Sequence, residues 1–136
     1  MTEISFQVDL DCSYEEARQL VAQALSQEGF GVLTEIDVKA TLKKKLDADF
    51  RKYAILGACN PPLAHKALQA EPLVGLMLPC NVTVEETEKG ATVHLVNPRA
   101  ILLSNPILAA NDAMKKIAQD AYVRLSNVAE TLNKTN

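Results

Sequence analysis

From Ile4 to Leu10 the chain alternates. Ile4, Phe6, Val8 and Leu10 fall on one parity, and Ser5, Gln7 and Asp9 on the other. A period of two marks a half-buried strand, so residues 3–10 are predicted as strand. The period then changes. Ser13 and Glu16 form a Ser-x-x-Glu capping box, and Ala17, Leu20, Val21, Ala24 and Leu25 follow at helical spacing. This helix is predicted to run to about Glu28 and to close on Gly29, a residue that suits the left-handed cap.

A second strand is predicted over residues 31–38, with Val32, Thr34, Ile36 and Val38 on one face and Leu33, Glu35 and Asp37 on the other. Residues 39–46 read as a short helix, with Leu42 and Leu46 four apart. Residues 53–59 read as a third strand, apolar on both faces at Ile55 and Leu56 and therefore central. Asn60 caps the next helix, Pro61 occupies its first position, and it ends near Ala70, ahead of Pro72.

Residues 74–86 form a long extended run in which Val74, Leu76, Leu78, Cys80, Val82 and Val84 share one parity. Pro79 falls on the other parity, which puts this strand at an edge, bulges it or splits it. Glu88-Lys89-Gly90 is a hairpin signal, residues 91–96 return as a strand, and Asn97-Pro98 breaks it. From Pro106 to Asn133 one long helix is predicted on the stripe Met114, Ile117, Ala121, Leu125, Val128 and Leu132, with residues 134–136 fraying.

No repeat, linker or boundary interrupts this order, so residues 1–136 read as a single domain. The succession β-α-β-α-β-α-β-β-α predicts an α+β fold. Its sheet would be largely antiparallel, with four to five strands, helices on one face and a long C-terminal helix.

Composition narrows this picture. With 48% hydrophobic and 23% charged residues the chain is ordinary for a folded domain, and with 4% aromatics its core must be aliphatic. A net charge of −3 argues against a general nucleic-acid binder and against attachment to anionic membrane by charge. No apolar run reaches the roughly 20 residues a spanning helix needs. The first eleven residues lack the basic start and continuous apolar run of a signal peptide. The expected compartment is the cytoplasm, where Cys12, Cys59 and Cys80 would stay reduced thiols.

Three stretches carry a resemblance: Gly29-Phe-Gly-Val-Leu-Thr-Glu-Ile-Asp-Val38, Ile55-Leu-Gly-Ala-Cys-Asn-Pro-Pro-Leu-Ala64 and Gly75-Leu-Met-Leu-Pro-Cys-Asn-Val82. In this order they resemble the bacterial and archaeal family catalogued as domain of unknown function 302. The resemblance covers nearly the whole chain. It implies a compact α+β fold of the TATA-binding-protein-like and helix-grip kind, and a homodimer. It implies no activity. The family's motif cysteines fall on Cys59 and Cys80, and Cys12 lies outside the motifs. After the last strand the family tends to show an acidic residue before proline, where this chain has Asn97-Pro98.

The candidate chemistry gathers around two Cys-Asn pairs, Cys59-Asn60 and Cys80-Asn81, each beside a proline. Cys59 precedes a helix N-terminus, where partial positive charge favours a thiolate. Pro61 and Pro62 remove two of the N–H groups that would greet an anion there, and the plainer reading is a small buried cysteine. Cys80 shares parity with core positions. His65, six residues after Cys59, would complete a three-ligand metal set with the two cysteines, but the spacing matches no compact metal motif. No metal site and no cofactor are therefore expected. Lys43 belongs to a basic cluster with Lys39, Lys44 and Lys45 that would hold an anionic ligand or simply be a solvated face. Glu35 and Asp37 read as lining the wet face of the sheet or a dimer contact. His94 reads as solvated. Phosphate loops, nucleophile elbows and zinc-protease motifs are absent from the sequence.

Three functions compete on these grounds. The first is a small-ligand-binding module with Cys59 and Cys80 near its mouth and Asn60, Asn81, His65 and Lys43 as candidate contacts. The second is a thiol redox or sulfur-carrier protein using Cys59, with Cys80 as resolving partner. The third is a structural dimer or protein-interaction module.

Overall fold

The computed structural model describes residues 3–136. Strand β1 (Ser5–Leu10) leads into helix α1 (Tyr14–Gln27), whose N-cap Ser13 accepts the Glu16 N–H. At its far end the Gly29 N–H donates to the Ser26 carbonyl and the Phe30 N–H to the Leu25 carbonyl. That is a Schellman closure, and Gly29 supplies the positive φ of 80° it needs. Strand β2 (Gly31–Asp37), helix α2 (Val38–Leu46), strand β3 (Tyr53–Cys59) and helix α3 (Pro61–Ala70) follow. A 3-10 turn (Pro72–Met77) precedes the hairpin of β4 (Cys80–Thr87) and β5 (Gly90–Val96). Helices α4 (Pro98–Leu102), α5 (Pro106–Ala109) and α6 (Asp112–Asn133) complete the chain.

The five strands form one antiparallel sheet in the order β1-β5-β4-β3-β2. Directly opposed residues share a face, so the rows Phe6–Leu95–Val82–Leu56 and Val8–Val93–Val84–Ala54 mark the inner face. These residues join Val21, Leu25, Leu125, Val128 and Leu132 of α1 and α6 in one core. The outer face carries the rows Gln7–His94–Thr83–Ile55 and Asp9–Thr92–Glu85–Tyr53. There Thr92 donates to Asp9 at 2.8 Å and Arg51 to Glu85.

Four expectations need correction. The extended run over 74–86 is two elements. Residues up to Met77 close a 3-10 turn, and the strand begins only at Cys80, after a cis Leu78–Pro79 bond. Burial there does not follow the alternation: Val74 is buried and Leu78 partly so, but Leu76 between them is exposed. The helix predicted from Pro106 to Asn133 is two, α5 and α6, because Asn111 caps a new start; the short α4, capped by Asn97, precedes them. Val32 and Thr34 do not share a face. A bulge leaves Leu33 unpaired, so Val32 opposes inner Ala58 and Thr34 opposes outer Gly57. The last residue is tied down rather than frayed, since Asn136 bridges the Asp9 carbonyl and the Asp11 N–H.

The bulge also redirects the two β2 carboxylates. Glu35 lies on the inner-face row and pairs with Arg18 of α1, while Asp37 caps α2 by accepting the Ala40 N–H. Both remain exposed, as is every residue of β2.

Candidate functional site

The candidate site lies where β3 ends and β4 begins. The chain must turn from strand to helix at Asn60, and its buried side chain does this in two directions. Its Oδ1 accepts the Leu63 N–H at 3.2 Å, capping α3, and its Nδ2 donates to the Glu28 carbonyl at 3.3 Å. Arg124 of α6 donates to the same carbonyl. One carbonyl oxygen at the end of α1 thus ties α3 and α6 to that helix end.

Gly57 supplies the second local constraint. It sits on the outer face between Thr34 and Asn81. A β-carbon there would run into the Thr34 hydroxyl and stand 2.7 Å from Pro79 Cγ. The missing side chain is what lets the Pro79 ring lie over β3 and set the position of Cys80.

Between these fixed points is a cavity of about 310 Å³. Its walls are Phe30 and Leu33 before and within β2, Leu63, Ala64, Ala67 and Leu68 of α3, and Leu102, Ile117 and Ala121 of α4 and α6. The sheet contributes Ala58 and Cys80 from the inner face and Thr34, Cys59 and Pro79 from around its end. None of these residues is charged. Asn60, the one amide, already spends its oxygen on Leu63 and one N–H on Glu28.

Both motif cysteines therefore line one cavity, and both are free thiols. Burial pushes the Cys80 thiol up to about 11, with a smaller contribution from the neighbouring Cys59. At neutral pH Cys80 is a neutral, weakly polar wall rather than a nucleophile. Cys12 lies away from this cavity, its pKa raised first by burial and then by Glu16 and Asp11.

The other candidates separate from this centre. Asn81 is exposed beside a neighbouring groove with Met77, Val96 and Pro98. His65 is exposed on α3 and does not line the cavity. Among the described residues no three His, Cys, Asp or Glu side chains group as a metal site. Lys43 sits on α2, where Asp47 at 2.9 Å and Asp49 at 3.5 Å balance its charge. Sequence reasoning did not assign Phe30, Leu63, Leu102, Ile117 or Ala121 to a site. They carry the same pattern as core residues, and the small side chains of Ala64, Ala67 and Ala121 are the one trace of space between α3 and α6.

The profile of the family described as "Domain of unknown function DUF302" matches residues 6–132. The chain belongs to that family. None of the curated proteins matches it. Among solved structures it is similar to the crystal structure of the uncharacterized conserved protein DUF302 from Bacillus stearothermophilus. That likeness has a TM-score of 0.83 and 30% identity over 96% of this chain and 99% of the other. No helix of this DUF302 chain among the described residues is long and apolar enough to cross a membrane.

Proposed function

We propose that this DUF302 protein is a small-ligand-binding module whose site is the cavity bearing Cys59 and Cys80. The observation that carries the reading is an uncharged, largely aliphatic cavity of about 310 Å³ where all three family-like stretches meet. Its volume lies at the lower end of the ~300–1,000 Å³ range of ligand pockets. The free N–H of Asn60, the Thr34 hydroxyl and the two thiols are the groups that would orient a guest. The test is calorimetric titration of 1-decanol into the native protein and into Ala121→Phe and Ala64→Phe, each of which puts a ring into the cavity. Ala64 is only half-buried, so its variant keeps the fold even if the Ala121 change does not. Saturable one-site binding that both variants lose supports the reading; no saturable binding to the native protein ends it.

Thiol chemistry at Cys59 is less well supported, because the raised pKa of Cys80 makes it a poor thiolate partner. The cytoplasm, a reducing compartment, suits three free cysteines.

A homodimer is a second reading that one observation favours. Strand β2 is the sheet's edge and exposed at every position, with Leu33 at 68% and Ile36 at 48%. An apolar free edge is a template for a second copy. Sedimentation of the native protein against Ile36→Lys tests it. A native dimer that the variant dissolves supports pairing at β2, and a native monomer at micromolar concentration ends the reading.

A further inference from the structure

A second groove adjoins the candidate cavity, and the two share Leu63 and Ile117 as walls. It runs between α3 and α6 and is lined by Lys66, Gln69, Ala70, Ala113, Lys116 and Asp120 besides those two. Its charges are unequal in availability. Asp120 is held by Arg124 at 2.7 Å, whereas neither Lys66 nor Lys116 takes part in an ion pair among the described residues. Lys66 lies one helical turn beyond Leu63, and Lys116 directly precedes Ile117. Two lysines from different helices thus stand beside the two residues that groove and cavity share.

Resting on the binding reading above, we infer that the ligand is a single-chain anionic amphiphile, a medium-chain fatty carboxylate. Its hydrocarbon chain would occupy the cavity, pass between Leu63 and Ile117, and place its carboxylate at Lys66 and Lys116. The chemistry of the two chambers is complementary to such a molecule and to few others. The cavity has no charged group to receive the head, and the groove has two cations to hold it. A volume of about 310 Å³ is about twice the ~150 Å³ that accommodates benzene, which gives room for one chain of about ten to twelve carbons. A two-chain phospholipid does not fit.

The basic cluster on α2 is no rival site. Lys43 there is paired with Asp47 and Asp49, and the pocket beside it is lined by Asp37 and Asp49 as well as Ala40 and Phe50, so carboxylates oppose an anionic head there.

The test compares decanoate, 1-decanol and butyrate, titrated calorimetrically at pH 8 into the native protein and into Lys66→Gln/Lys116→Gln. Both lysines are exposed, so the double variant leaves the core intact. Native protein is expected to bind decanoate about tenfold more tightly than decanol, two exposed ion pairs being worth about that factor. The preference should vanish in the double variant and shrink in high salt, and butyrate should not bind. Equal affinity for decanoate and decanol, unchanged in the double variant, overturns the carboxylate assignment while leaving the apolar cavity as a binding site. Failure of decanoate and decanol alike overturns both. Sedimentation with phosphatidylglycerol vesicles in the absence of decanoate binding overturns it in favour of a membrane surface.

Discussion

Cys59 and Cys80 stand one residue out of register across the β3–β4 ladder, with Ala58 rather than Cys59 directly opposite Cys80. Alternation then sends the two side chains to opposite sides of the sheet, and they meet the same cavity only because both lie at strand ends. A disulfide needs β-carbons that face each other, and this register does not oppose them. Treatment of the native protein with diamide followed by peptide mass spectrometry should show no Cys59–Cys80 crosslink. Ready formation of that crosslink would restore the redox reading at the expense of the binding one.

The raised pKa of Cys80 makes stability depend on pH in a defined window. Its folded value of about 11 lies above the ordinary 9.0, so folding favours the neutral thiol. The contribution is complete below about pH 9 and is lost as pH rises towards 11, by about 3 kcal/mol at most. Urea midpoints at pH 8 and pH 10.5, compared between native protein and Cys80→Ala, isolate this group from tyrosines and lysines that titrate nearby. The native protein should lose more stability over that interval than the variant. The same shift predicts that at pH 8 only about one Cys80 in a thousand is thiolate, so iodoacetamide should label it slowly until the protein unfolds.

Gly57→Ala should destabilise the fold by about 1–3 kcal/mol, because the new methyl group meets the Thr34 hydroxyl and the Pro79 ring at once. Adding Thr34→Ala removes one of the two obstructions and should recover part of the loss. Chemical denaturation of the single and double variants reads both effects. A neutral Gly57→Ala would mean that Pro79 is not held against β3.

Asn60→Ala removes the cap of α3 and one of the two donors to the Glu28 carbonyl. Loss of such a cap costs about 1–2 kcal/mol. Asn60→Asp keeps the cap oxygen but sets a buried carboxylate oxygen against the Glu28 carbonyl, and should cost at least as much. In contrast Glu35→Gln, which breaks a half-exposed pair with Arg18, should cost under about 1 kcal/mol. Thermal melting of the three variants ranks them, and a larger loss at Glu35 than at Asn60 would contradict the account.

Much of this fold was legible because its signals are local. The capping box at Ser13, the Gly29 closure, the Asn60-Pro61 start and the Glu88-Lys89-Gly90 turn each act within a few residues, and each lies where the sequence places it. The bulge at Leu33 was not legible, since an extra residue in β2 shows only against its partner β3. Residues 74–78 carry strand-like alternation, but Pro72–Met77 fold as a 3-10 turn in which only Val74 is buried and Leu76 is exposed, so the alternation reports no sheet face. The break between α5 and α6 could have been read from Asn111, which caps a helix inside the predicted one. The site was half legible. Motif spacing led to Cys59, Asn60 and Cys80, but the far wall of Ile117 and Ala121 comes from a helix about 40 residues or more downstream of them and carries only core periodicity. His65, Lys43 and Asn81 were drawn in by sequence proximity or residue type, and the turn of the chain at each position carries them elsewhere.

The claim on which the functional account depends is that an apolar guest enters the cavity between α3, α6 and the β3–β4 strand ends. Methyl-resolved NMR titration of the native protein with 1-decanol tests it most directly. The account predicts saturable shifts at Leu63, Leu68, Leu102 and Ile117, with the distant exposed methyls of Ile4 and Val123 unmoved. Shifts confined to such surface methyls, or none at any concentration, would contradict it.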